Sequence, residues 1–131
     1  MLELGTAGFT WFAIFVALNT LLLLMLTLNI SRLRIANKIA NGDGENKTLR
    51  QAIRAHGNGI EHTPIYGLAI LALSFLQLGT SWLAALVFAF TGARLVHAYG
   101  MLFKNFNARR VGSSLTFLLQ GISVVALFLC L

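Results

Sequence analysis

The sequence predicts an all-α integral membrane protein that folds as a four-helix bundle in a single domain, residues 1–131. Of its 131 residues, 57% are hydrophobic and 11% are charged, about half the charged share of an ordinary soluble domain. Its mean hydropathy is +0.78. Four segments reach or approach the roughly 20 apolar residues that cross a hydrocarbon core. Nothing of the chain is left over for a soluble domain.

The four predicted spans cover residues 8–30, 50–78, 81–103 and 109–131. The second has an apolar run only from residue 63 onward, so it must include the polar stretch before it to cross the membrane. We expect the first span to remain as a helix rather than to be cleaved as a signal peptide. Glu3 stands where a signal peptide would be basic, and no small-residue cleavage site follows the apolar run.

The connections between the spans are short. Hydrophobic periodicity breaks between Ser31 and Thr48, and the sequence NGDGEN at residues 41–46 is typical of a turn. Asn46 or Thr48 is the predicted N-cap of the second helix. The second connection, QLGTS at residues 77–81, carries no charge.

The charges predict the orientation of the chain in the membrane. Ten basic and four acidic residues give a net charge of +6. Basic connections stay on the cytoplasmic side, so we expect both termini on the non-cytoplasmic side. This topology explains the basicity without a nucleic-acid partner. The basic residues between the apolar runs of the first and second spans, and between those of the third and fourth, are Arg32, Arg34, Lys38, Lys47, Arg50, Arg54, Lys104, Arg109 and Arg110.

The single cysteine, Cys130, excludes an internal disulfide and leaves no pair of cysteine ligands for a metal. The sequence therefore predicts no metal site. A small apolar residue near a helix end is the ordinary interpretation of this cysteine.

The stretch RAHGNGIEHTP, residues 54–64, combines charges, histidines and glycines at the mouth of the second span. On a helix, Arg54, Asn58 and Glu61 stand at i, i+4 and i+7 and form one continuous stripe. His56 and His62 flank that stripe. Pro64 follows, and neighbouring helices can absorb the kink that a proline causes in a membrane helix.

The third span also carries charged and polar residues on one helical face, with Arg94 and His97 at i and i+3. Arg54 on its own could extend to the lipid headgroups, and Arg54 and Glu61 could pair with other helices to fix the bundle. However, charged groups at membrane depth usually face a polar cavity. Arginine binds carboxylates in a bidentate fashion, and a carboxylate binds ammonium, so the set predicts an anionic peptide-like or amino-acid-like ligand.

Three stretches resemble the MAPEG family, the membrane-associated proteins in eicosanoid and glutathione metabolism. They are RAHGNGIEHTP, GARLVHAYG at residues 92–100 and NARRVG at residues 107–112. The similarity covers about residues 30–116 and is greatest to the small bacterial branch. The chain departs from the family pattern at two positions. Members of the family often have tyrosine at the position of His62, and some have tyrosine at the position of Met101.

The resemblance implies a homotrimer of four-helix protomers in a bacterial inner membrane. It also implies a glutathione molecule between neighbouring subunits near the cytoplasmic face. Glutathione would be the co-substrate of a transferase or peroxidase that acts on hydrophobic electrophiles dissolved in the bilayer.

The resemblance also implies roles for individual residues. Asn58 would bond the tripeptide backbone, and Glu61 would bind the α-amino group. Arg110, or alternatively Arg109, would stabilise the thiolate. The remaining residues expected at the glutathione site are Arg34 (with Arg32 as its alternative), Arg54, His56, His62, Arg94 and His97.

Two other functions fit the same composition. One is a non-catalytic lipid-binding or scaffold protein of the same fold, because fold does not determine turnover. The other is a small multidrug-type transporter, which needs an ionisable residue near the membrane midplane. Glu61 instead stands beside Arg54 at the mouth of the span, and a net positive site is unsuited to cationic drugs.

Overall fold

Four long helices make up nearly all of the chain. A computed structural model describes residues 2–131, with side chains described from residue 6 onward. The helices are α1 (Leu2–Asn37), α2 (Lys47–Phe75), α3 (Thr80–Leu102) and α4 (Phe106–Cys130). The predicted all-α, four-helix architecture is confirmed. The side chain of Glu3, on which the prediction of an uncleaved first span rests, lies outside the described residues.

The helices α2 and α3 occupy the middle of the bundle. Each packs against the other and against both α1 and α4, whereas α1 and α4 do not pack together within the part of the chain described. Side chains on α2 and α3 can therefore be shielded from lipid on most sides. This placement explains how the two central helices accommodate polar and charged residues.

Within the described part of the chain, three helices are long and apolar enough to cross a membrane: residues 6–37 of α1, all of α3 and all of α4. The 29 residues of α2 would reach about 43 Å, which is long enough, but its N-terminal half is polar. The protein is thus an integral membrane protein whose second helix combines a polar half with an apolar half. The polar half contains the stretch that the sequence singled out.

Helix α1 is longer than its predicted span. It continues from the apolar run through Asn37, whereas hydrophobic periodicity stops near Ser31. A hydropathy pattern records where the membrane ends, and a polar helix can continue beyond that point. The break predicted at Ser31 is therefore the end of the apolar segment and not the end of the helix.

The apolar core is formed mainly by α1, α2 and α3, with Leu119 contributed by α4, and is centred on aromatic rings. Tyr66 stacks on Phe90 with ring centroids 3.9 Å apart, and Phe15 packs against both rings. The Tyr66 hydroxyl donates to the carbonyl of Leu86 at 3.2 Å. A smaller cluster of Leu26, Ala55 and Ala98 lies toward the end of the bundle that holds the α1–α2 and α3–α4 connections. We call this end the basic end.

The α1–α2 connection is a tight, internally bonded turn. The side chain of Asn46 accepts from the backbone N–H of Leu49 at 2.9 Å, which confirms one of the two predicted N-caps. Asp43 forms an ion pair with Arg50. The hydrogen bond from Arg50 holds the pKa of the Asp43 carboxyl below its usual range. These contacts fix the point at which α2 begins.

A sharp turn joins α3 to α4. Lys104 adopts a left-handed conformation (φ 56°), and the N–H of Asn105 donates to the carbonyl of Gly100 at 2.9 Å. The Asn105 side chain then caps α4 by accepting from the N–H of Ala108 at 3.0 Å. The turn folds the start of α4 directly back onto the end of α3.

Two glycines allow α3 and α4 to meet backbone to backbone. A Cβ at Gly100 would collide with the backbone of Arg109, and a Cβ at Gly112 would stand 2.5 Å from the backbone nitrogen of His97. Small residues of this kind let membrane helices approach closely. The close approach brings α4 alongside Arg94 and His97.

We expect Gly112→Ala to destabilise the protein by about 1–3 kcal/mol, because the added methyl group meets backbone that cannot move independently. The measurement is the thermal unfolding midpoint of the purified protein in mild detergent. Gly121→Ala on the same helix is the matched control, since a Cβ there meets nothing within 4 Å. Equal midpoints for the two variants would contradict the close approach of α3 and α4.

Candidate functional site

The predicted polar stripe lies on the N-terminal half of α2. Arg54 and Glu61 are exposed, and Asn58 between them is half-buried. All three belong to one uninterrupted helix, which continues through Pro64. Their spacing of four and three residues therefore places them on one face over about two helical turns.

Behind this stripe, Arg94 of α3 lies in the protein interior with 2% of its surface exposed. Its Nη2 donates to Oδ1 of Asn58 at 2.7 Å and to Nδ1 of His97 at 3.3 Å. Its Nη1 donates to Oγ1 of Thr116 at 3.3 Å. The Nε of Arg94 is buried and has no hydrogen-bond partner. The guanidinium thus joins α2, α3 and α4 through three neutral acceptors.

The direction of these hydrogen bonds follows from the chemistry of arginine, whose guanidinium has donors and no acceptor. The amide oxygen of Asn58 must face Arg94, so its NH₂ group points away from Arg94. Likewise Nδ1 of His97 must accept, which leaves the proton of the neutral ring on Nε2. The Thr116 hydroxyl donates to the carbonyl of Gly112 at 2.8 Å, so it is free to accept from Arg94.

A second contact between helices orients His56. Its Nε2 lies 3.0 Å from Oγ1 of Thr27 on α1. The Thr27 hydroxyl already donates its proton to the carbonyl of Leu23 at 2.9 Å. Nε2 of His56 must therefore be the donor in this contact, and Nδ1 of the neutral ring retains a free lone pair.

We expect Thr27→Val to leave His56 free to populate both neutral tautomers, instead of mainly the one protonated at Nε2. Valine is close in shape to threonine but cannot accept the hydrogen bond from Nε2. Nitrogen-15 NMR of histidine-labelled protein, at a pH where the ring is neutral, distinguishes the two tautomers, and His56→Gln identifies the signal. Unchanged tautomer populations in Thr27→Val would show that Thr27 does not orient the ring.

Further ionisable groups surround the buried arginine and histidine. The carboxylate of Glu61 is close enough to interact electrostatically with Arg94. Arg94, Arg109 and His62 are also within electrostatic range of His97, where they would repel a positive charge on its ring. The His62 ring also packs against Phe117 of α4, with centroids 5.6 Å apart. The stripe on α2 therefore borders a mixed-charge cluster that extends onto α3 and α4.

Arg34 on α1 and Arg110 on α4 lie apart from this cluster, whereas Arg109, the alternative to Arg110, is within electrostatic range of His97. Arg34 donates to the carbonyl of Gly42 at 2.7 Å and braces the α1–α2 turn. Arg32 donates to the side chain of Asn29 at 2.9 Å. The guanidinium of Arg110 lies 6.0 Å from the centroid of the Phe106 ring. Within residues 6–131, neither Arg34 nor Arg110 makes a hydrogen bond or ion pair with the α2 stripe.

Arg110 lines a shallow groove on the exposed side of α4, beside Asn107 and Ser114. The glutathione-site roles of Arg34 and Arg110 stay predictions, and one protomer does not bring these residues to the stripe. The glutathione-site roles of Arg94 and His97 likewise stay predictions, and the structure buries both side chains behind Asn58.

Sequence reasoning did not single out Thr27 or Thr116. A threonine in an apolar helix commonly bonds the carbonyl one turn earlier in its own helix, and both of these residues do so. Only the neighbouring helix reveals that each hydroxyl oxygen also accepts a second hydrogen bond. Asn19 and Thr91, which form a 3.0 Å hydrogen bond between α1 and α3, escaped notice for the same reason.

Comparison with known proteins settles the family. The family model of the MAPEG family matches residues 12–129 of the chain. The chain belongs to the MAPEG family. The match includes most of α1, which the resemblance noted in the sequence did not cover.

This MAPEG chain is similar to the inner membrane protein YecN of Escherichia coli strain K12 and to that of Escherichia coli O6:H1 strain CFT073. Each is 33% identical over 117 residues, which cover 87% of this chain and 87% of the relative. No solved structure matches the chain. The MAPEG assignment and the three membrane-crossing helices agree on an integral membrane protein.

Proposed function

We propose that this MAPEG protein binds glutathione at the basic end of its bundle and uses it as a transferase or peroxidase on hydrophobic electrophiles. The proposal places it in the bacterial inner membrane, with the basic end on the cytoplasmic side. The family and the polar stripe on α2 support the choice of glutathione. The printed name of the relative YecN, an inner membrane protein, supports the location.

The observation that carries the proposal is the order of groups along α2. An exposed guanidinium, a half-buried amide held in one orientation and an exposed carboxylate follow one another over two helical turns. These two turns span about 10 Å along the helix axis. Glutathione brings two carboxylates, one ammonium group and peptide groups between them. An extended tripeptide of this kind matches the stripe in length and in charge.

The thiol of the bound tripeptide needs a cation. A free thiol has a pKa of about 8.5, and a nearby guanidinium lowers it so that the reactive thiolate forms at neutral pH. Arg110 is the proposed cation, with Arg109 as the alternative. The thiolate would then attack an electrophile or a peroxide that enters from the bilayer.

The position of Arg110 favours a site shared between subunits. Arg110 and Arg34 do not contact the α2 stripe of their own protomer, so a neighbouring copy would have to bring them to it. We propose a homotrimer with the second helices at its centre. Native mass measurement in mild detergent should give three chains, and a mass of one chain only would contradict the shared site.

A second candidate function rests on the apolar groove between α3 and α4. It has a volume of about 810 Å³ and is lined by apolar side chains such as Trp82, Phe117 and Ile122. In an enzyme this groove is a route for the hydrophobic substrate. In a non-catalytic protein of the same fold it would hold lipid alone. A cation transporter is disfavoured, because Glu61 stands among Arg54, Arg94 and two histidines.

The test of the proposed function is conjugation of glutathione to a hydrophobic aryl halide by the purified protein in detergent. We expect turnover that saturates with glutathione and exceeds the uncatalysed reaction at neutral pH. Glutathione binding without turnover, for the aryl halide and for a lipid hydroperoxide, would favour the non-catalytic alternative. Absence of both binding and turnover would refute the proposal.

A further inference from the structure

The buried guanidinium of Arg94 has no carboxylate partner within ion-pair distance among residues 6–131. The one ion pair found in that range joins Arg50 and Asp43. Burying a charge without an opposite charge in contact is costly, and three neutral acceptors compensate for it only in part. A group held at such cost calls for a role beyond filling space. Its shortest contact, 2.7 Å to Asn58, indicates what that role is.

The contact between Arg94 and Asn58 decides which way the amide faces. The two ends of an asparagine amide have nearly the same shape, and its last torsion is broad and roughly two-fold. Sterics alone would therefore leave both orientations open. Arg94 can only donate, so it selects the orientation with Oδ1 directed inward. The two N–H donors of Asn58 then face the side of α2 that presents Arg54 and Glu61.

We infer that Arg94 is a positioning residue that acts through Asn58: it fixes the amide so that the site presents N–H donors and accepts a carbonyl or carboxylate oxygen. This inference rests on the proposed function, since it names the group of the tripeptide that Asn58 recognises. A ligand with a donor at that point would meet another donor and bind more weakly. Arg94 itself, 2% exposed, stays behind the site and does not touch the ligand.

A hydrogen bond to α4 fixes the position of the Arg94 guanidinium. Thr116 accepts from Nη1 while Nη2 reaches Asn58, so the two ends of the guanidinium are bound by different helices. The close approach at Gly112, one turn before Thr116, brings this hydroxyl into range. The orientation of Asn58 on α2 thus depends on packing between α3 and α4.

The first test does not require a ligand. Arg94→Met removes the charge and the donors while keeping an unbranched side chain, and a buried charge replaced by an apolar group is often tolerated. NMR of protein labelled at asparagine should show the Asn58 NH₂ group ordered in the parent and averaged in Arg94→Met. Asn58→Ala identifies its signal. Asn19, which is held by Thr91, serves as the control amide that stays unchanged. An equally ordered Asn58 in Arg94→Met would overturn the inference.

The second test measures glutathione affinity by calorimetry in a double-mutant cycle. We expect Arg94→Met and Asn58→Ala each to weaken binding about tenfold, the effect of one lost hydrogen bond to a charged group. The double variant should bind no more weakly than Asn58→Ala, because Arg94 acts through Asn58. Arg94→Lys, which keeps a donor, should restore part of the affinity.

The two tests separate failure of the inference from failure of the proposed function. Additive losses in the cycle would mean that Arg94 acts on the ligand independently of Asn58, and the inference would be wrong. If the parent bound no glutathione, the proposed function would fail, while the NMR comparison would still decide whether Arg94 orients Asn58.

Discussion

In the Arg110→Ala variant, most of the bound glutathione should carry a protonated thiol at neutral pH instead of a thiolate. If the Arg110 guanidinium lowers the pKa of the glutathione thiol, removing it returns that pKa toward the free value of about 8.5. The ultraviolet absorbance of the thiolate at neutral pH should then fall, and turnover should fall with it by about tenfold or more. Because a higher pH again deprotonates the thiol, the variant should recover activity as the pH rises through that value.

Arg109→Ala is the matched control for Arg110→Ala, since the two arginines are neighbours at the start of α4 and both are exposed. Glutathione affinity below the thiol pKa should change little in either variant. A loss of thiolate in Arg109→Ala instead would transfer the role to Arg109. Full thiolate absorbance in both variants would refute stabilisation of the thiol by either residue.

Glu61→Gln and Arg54→Ala should each weaken glutathione binding about tenfold or more. A charge-assisted hydrogen bond contributes roughly 1.5–3 kcal/mol, and 1.4 kcal/mol corresponds to a factor of ten in affinity. Glu61→Gln keeps the shape of the side chain and removes the charge that the α-amino group requires. Calorimetric titration at neutral pH measures both losses.

Arg50→Ala is the control for Arg54→Ala, because it removes the same side chain one turn earlier on α2. Arg50 pairs with Asp43 in the α1–α2 turn, so its loss should leave glutathione affinity close to that of the parent. If Glu61→Gln and Arg54→Ala also bound like the parent, the stripe would serve the bundle and not a ligand.

The stripe on α2 could be predicted from the sequence because helical geometry alone determines it. Positions i, i+4 and i+7 share a face in any helix, whatever packs nearby. The four apolar segments likewise predicted four helices, because the cost of exposing polar backbone in a membrane leaves little choice of structure. The end of α1 was less well predicted, since the chain remains helical after the apolar run stops at Ile30.

The contacts behind the α2 stripe could not be predicted, because they depend on which helices pack against each other. The spacing of Arg94 and His97 places them on one face of α3 but does not say that this face meets Asn58. Thr27 and Thr116 act through the second hydrogen bond that each oxygen accepts from a neighbouring helix. Those contacts depend on helix crossings such as the one at Gly112, and a single sequence does not specify which helices cross there.

The most direct test of the central claim is calorimetric titration of glutathione, and of glutathione acetylated at its α-amino group, into the purified protein in mild detergent. Glutathione should bind saturably at neutral pH. The acetylated form should bind about tenfold more weakly, because it offers no ammonium to Glu61. Equal affinity for the two ligands, or no saturable binding of glutathione, would contradict the assignment of the α2 stripe as a glutathione site.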